Sequence, residues 1–127
     1  LTQGALDALE HPLLVQLHGF KRESVPDPEV DVIASCGASA GPAVLETFVE
    51  AMVGRAPEIG VARYPADISV LGGTANVQGR ALAGKPDAAF LHLELGPEAR
   101  KSMLDSAESL AALQGALDAC SASLTSP

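Results

Sequence analysis

The residues of this chain that could do chemistry sit at the ends of short apolar runs. His18 closes "LLVQLH", Glu94 lies near the end of "AFLHLEL", and between them "GGTANVQGR" carries Asn76 and Arg80. An imidazole can bind a metal ion, and a carboxylate can take a proton. A guanidinium can hold a substrate carboxylate through two parallel hydrogen bonds. These are the parts needed for metal-assisted hydrolysis, in which the metal polarises a carbonyl and acidifies its bound water while a nearby Glu accepts the proton. Each residue also has a plainer role open to it. A His at a strand end can be a hydrogen-bonded structural residue. Glu94 can pair with Arg80 or Arg100, and Arg80 with an acidic loop. His92, in the same run as Glu94, is expected to pack or to support rather than to ligate.

A second chemical pattern competes for attention. Gly37-Ala38-Ser39-Ala40-Gly41 has the G-x-S-x-G form of a nucleophile elbow, between an apolar run and a helical one. A lipase-like fold needs a helix-strand-helix excursion between its oxyanion loop and that elbow. Only about twenty residues separate His18-Gly19 from Ser39, and one βαβ unit alone takes about 30. Ser39 is therefore expected to belong to a tight turn that leads into a capped helix, and not to be a nucleophile. Cys36 has nothing near it in sequence to depress a thiol pKa, so it is not expected to be a nucleophile either.

The elements that must hold these residues can be read from periodicity. A short helix capped by Thr2 carries Leu6 and Leu9 and ends before Pro12. Residues 13–18 form a strand, with Leu13, Val15 and Leu17 on one side and Leu14, Gln16 and His18 on the other. A second strand spans Val30 to Ser35. Pro42 opens a helix with Val44, Leu45, Phe48, Val49 and Met52 on its apolar face, and Gly54 stops it. Ile59 to Tyr64 is a third strand. The Gly-rich segment from Asp67 to Asp87 is long for a passive connection, which makes it a candidate functional loop. In the fourth strand, Ala88 to Leu95, Phe90, His92 and Glu94 share one face and Leu91, Leu93 and Leu95 the other. A last helix begins at Gly96-Pro97-Glu98 and runs through Met103, Ala107, Leu110, Leu113 and Leu117 to about Cys120, with 121–127 a frayed tail. Strands alternating with helices predict one α/β domain, with a mostly parallel sheet of about four strands flanked by helices. Sites in such sheets lie beyond the carboxyl ends of strands, where His18 and Glu94 fall.

Composition narrows the classes of function. The 127 residues are 47% apolar with mean hydropathy +0.22, enough for a folded core, and aromatics are only 3%. A net charge of -8 with scattered basic residues argues against a nucleic-acid surface. No apolar run reaches the length of about 18 residues needed to span a membrane. No signal peptide is visible, which favours a cytoplasmic location. Cys36 and Cys120 follow no metal or redox spacing and are expected to be free thiols, with a disulfide as the alternative.

Taken in order, "QLHGF", a strand ending in Ser35-Cys36-Gly37, "NVQGR" and "FLHLELGPEAR" resemble the C-terminal half of zinc-dependent hydrolases of the carboxypeptidase-like and N-formylglutamate amidohydrolase-like group. The resemblance spans roughly residues 5–105. It implies hydrolysis of an amide or peptide bond in a small-molecule or peptide substrate bearing a carboxylate. It also implies that the chain is the C-terminal portion of a larger hydrolase-like sheet domain. By position, His18 corresponds to a zinc ligand, Glu94 to the general base, and Arg80 with Asn76 to substrate contacts. The family's early His-x-x-Glu ligand pair has no counterpart before His18, since His11 is followed by "PLL". The expectation is that the missing ligands come from an N-terminal half, matching a chain that opens at Leu1, or from a partner chain. The alternative is a non-catalytic α/β domain that binds a ligand or partner through the same strand ends. Zinc held by the chain alone would turn attention to His18, His92 and Glu94 as a self-contained set.

Overall fold

The computed structural model describes residues 11–25, 27–37, 42–72 and 88–125. In chain order they form β1 (Leu13–Gly19), a 3-10 turn (Arg22–Ser24), β2 (Val32–Ser35), α1 (Pro42–Arg55), β3 (Val61–Arg63), β4 (Ala89–Leu95), α2 (Pro97–Asp105) and α3 (Ala107–Thr125). The α/β class and the four strands are as predicted. Strands β2 and β3 are shorter at their starts than the sequence implies. The capped helix before Pro12, the Ser39 turn, and residues 73–87 of the Gly-rich loop, with Asn76 and Arg80, lie outside the described residues.

The strand order is β1-β4-β2-β3. β1 runs parallel to β4 and β2 parallel to β3, while β2 and β4 are antiparallel. The sheet is thus mixed, with the parallel pairings in the majority. Strict βα alternation would have aligned every strand. Instead the sheet is two parallel pairs set head to tail, and the carboxyl ends of β1 and β4 lie together at one end of it.

β4 is buried along its whole length, as a strand with neighbours on both sides must be. Its odd-numbered residues Leu91, Leu93 and Leu95 join Val32 and Ala34 in the main core. That core is closed by Val44, Leu45, Phe48, Val49 and Met52 of α1 and by Ala112, Leu113, Ala116 and Cys120 of α3. The apolar face read for α1 is therefore the one it buries. The opposite face of the sheet carries two smaller apolar clusters. One is Ala88 and Phe90 with Leu14, and the other is Phe20, Val25 and Ile33. The polar residues of β4 lie along the strand between them.

The last helix departs from expectation twice. It is broken at Ser106, whose backbone is extended (φ -128, ψ 118). The Ser106 hydroxyl accepts a hydrogen bond from the Ser109 N–H at 3.3 Å, the geometry of an N-cap. Apolar spacing from Met103 to Leu110 hid this break, and Leu110, expected to be buried, is 42% exposed. The helix also continues to Thr125, so 121–125 are helical and not a frayed tail.

Candidate metal centre

Two strands build the site. β1 and β4 pair in parallel with His18 opposite Glu94 and Gln16 opposite His92. Residues paired across a ladder share a face, and residues two apart on one strand also share it. His18, His92 and Glu94 must therefore stand on the same side of the sheet. On the other edge of β4, Ser35 pairs with His92 and Ile33 with Glu94. The Ser35 hydroxyl is committed elsewhere, accepting from the Gly37 N–H at 2.8 Å.

The two strand ends are fastened by Arg100 of α2. Its Nη1 donates to the carbonyls of Phe20 at 3.0 Å and Leu95 at 2.7 Å, the residues that follow β1 and close β4. The Phe20 N–H also donates to the Leu95 carbonyl at 3.0 Å. Gly19 makes room for this clamp, because a Cβ there would lie 2.6 Å from Arg100 Nη1. With its donors turned to main-chain carbonyls, Arg100 is not the ion-pair partner that the sequence offered Glu94.

The three side chains converge. Their candidate ligand atoms all lie within 4.8 Å of one another. The His18 and His92 ring centroids are 4.9 Å apart with planes tilted by 33°. His92 is 4% exposed and Glu94 9%, whereas His18 is open to solvent. His92 Nε2 stands 3.7 Å from Glu94 Oε1, which is too long for a hydrogen bond. The contact is an ion pair only when His92 is protonated. Burial, with a smaller contribution from the charge of His18, lowers the His92 pKa and favours its neutral form. Burial raises the Glu94 pKa, and the charge of His18 only partly opposes this. His92 Nδ1 is buried without any hydrogen-bond partner among the described residues.

Two imidazole nitrogens and a carboxylate oxygen are donors that suit zinc and its neighbours, unlike the all-oxygen sets of magnesium and calcium. Tetrahedral ligands about 2.0–2.1 Å from zinc stand roughly 3.3 Å apart. The 3.7 Å His92–Glu94 separation is close to that edge, and all three ligand atoms lie within 4.8 Å of one another. A buried nitrogen with no partner among the described residues is costly as it stands, and a cation would relieve it while offsetting the burial of the Glu94 carboxylate. The residues present therefore fit a zinc ion.

Sequence reasoning found His18 and Glu94 and assigned His92 to packing. The spacing of His92 and Glu94 put them on one face, but only the β1–β4 register brings His18 to both. Elsewhere the chemistry is sparse. A cavity of about 490 Å³ is lined by Ser24, Asp27, Pro65, Asp67 and Ile68 among others, and none of the three converging residues borders it. Asp67 is already paired with Arg63 at 3.3 Å. Neither cysteine forms a disulfide among the described residues. Cys120 is buried, with its thiol pushed up to about 11 by burial and directed at the Val44 carbonyl. Among the described residues no helix is long and apolar enough to cross a membrane. No protein-family model, no curated protein and no solved structure matches the chain.

Proposed function

We propose that the chain is the C-terminal portion of a larger sheet domain that hydrolyses amide or peptide bonds with zinc. His18 serves as a metal ligand and Glu94 as the general base. The observation that carries this reading is an exposed imidazole beside a buried carboxylate at the carboxyl ends of two neighbouring parallel strands. Zinc bound there would polarise the scissile carbonyl and acidify a bound water. Glu94 accepts the proton of the attacking water on a carboxylate oxygen and returns it to the leaving amine. His18, at the rim, orients the reacting centre toward solvent, from which the substrate arrives. Arg80 and Asn76 are proposed to hold the substrate's own carboxylate. Further ligands come from an N-terminal half or a partner chain.

Metal content and hydrolysis of N-acyl amino acids and short peptides, measured on the complete gene product, test this reading. His18→Ala should weaken zinc binding at least tenfold. Glu94→Gln should keep zinc and lose about 10²–10⁴-fold in turnover. A Glu94→Gln protein that turns over like its parent ends the assignment of the base.

A second reading has an observation in its favour. The Glu94 carboxylate is near enough to both imidazoles to be a ligand itself, which would leave a metal-binding domain with no base. In that case Glu94→Gln releases the metal.

A further inference from the structure

We infer that His92 is a metal ligand, so that His18 and His92 together clamp a divalent transition metal within this chain. The inference rests on the metal-site reading above. It goes beyond it by assigning the second imidazole and by removing the need for an outside ligand before metal can bind.

His92 is a poor structural histidine. It is 4% exposed, and its Nδ1 is buried with no partner among the described residues. Its Nε2 faces Glu94 Oε1 at 3.7 Å, beyond hydrogen-bond reach. A histidine kept for packing alone normally donates one ring N–H to a carbonyl or carboxylate. Here neither nitrogen does so among the described residues. Two rings lie beside it, His18 at 4.9 Å and Phe90 at 6.2 Å between centroids.

The same position is well chosen for coordination. His92 lies deep and His18 lies at the rim, on one face and two residues apart in register. The strand ladder fixes both backbones, so only side-chain torsions need adjust. Glu94, on the same strand as His92, supplies negative charge next to the ion whether or not it binds directly. Two nitrogens select zinc, cobalt(II), nickel(II) or copper(II) over magnesium and calcium. A buried ligand and an exposed one leave the open coordination position on the solvent side, where a catalytic metal needs it.

The test is titration of the 127-residue chain with zinc and with cobalt(II), followed by calorimetry and by ¹⁵N chemical shifts of the imidazole nitrogens. One ion per chain is expected, with shifts of both the His18 and His92 nitrogens. His18→Ala and His92→Gln should each lower affinity by at least tenfold. The imidazole shifts of the parent chain decide the matter if His92→Gln fails to fold. Zinc binding that moves the His18 nitrogens and leaves His92 unmoved overturns the inference but leaves the hydrolase reading standing. A chain that takes up no zinc also overturns it, and leaves the reading in which ligands arrive from outside. Binding through both imidazoles in a complete gene product that hydrolyses nothing supports the inference and ends the hydrolase reading.

Discussion

One strand, β4, supplies both faces of the sheet, and the two are built on opposite principles. On one face Leu91, Leu93 and Leu95 are packed with α1 and α3 into the main apolar core. On the other, His92 and Glu94, which alternate with those leucines, are nearly as deeply buried, and His92 Nδ1 lacks a hydrogen-bond partner among the described residues. The first face gains free energy from apolar area and close packing. The second costs free energy through desolvated polar groups. Burial alone therefore does not mark the core. The decisive property is whether the buried atoms have partners that suit them, and by that measure the polar face is the one that could hold a ligand.

The comparison can be broken most severely from the helical side. Leu93→Ala removes a fully buried side chain from the main core. It should cost about 3 kcal/mol in urea unfolding. A loss below about 1 kcal/mol would mean that the two faces are not energetically distinct.

Cys120 probes the same core through pH. Its thiol is pushed up from 9.0 to about 11 by burial. A folded-state pKa above the unfolded value means that the unfolded chain loses its proton first. Stability from this group is complete below about pH 9 and is lost as pH rises toward 11. The loss should be about 2–3 kcal/mol, since each tenfold change in proton affinity is worth about 1.4 kcal/mol. Urea unfolding at several pH values should show this slope in the parent and its disappearance in Cys120→Ala. Equal slopes would mean that the thiol is hydrated.

The polar face should respond with the opposite sign. Glu94→Leu removes a buried carboxyl from the ladder position opposite Ile33. In metal-free protein it should stabilise the fold by about 1 kcal/mol while abolishing metal-dependent function. A clear loss of stability would show that the carboxylate has a structural partner. Smallest of all, His18→Ala at the exposed rim should move metal-free stability by no more than about 0.5 kcal/mol. Its effect should appear only when zinc is added.

These contrasts follow from a pattern that was partly legible in the sequence. Alternation along residues 88–95 separated the leucines from Phe90, His92 and Glu94, because a strand's period of two is a local property. The α1 face was legible for the same reason. Strand order and direction were not, because they depend on which distant strand pairs with which. His18 meets Glu94 only through a register between residues far apart in the chain. That His92 comes close to His18 could not be read either, because a histidine's neighbours are invisible until that register is known. The break at Ser106 was legible in principle. A Ser that caps the helix after it competes locally with continued helix, but the apolar spacing on either side concealed the conflict.

The strand order also dictates timing. β4 sits between β1 and β2, yet it is the last strand to leave the ribosome. At roughly 5–20 residues per second, β1 waits about 4–15 s for the neighbour that will cover its edge. Until then β2 and β3 have only each other, and the contacts that close the sheet span most of the chain, a topology that slows folding. The same delay governs the chemistry. A nascent chain that stops short of His92 already displays the imidazole of His18, with no second imidazole beneath it and no carboxylate to face it. The centre comes into being in one late step, together with the middle of the sheet.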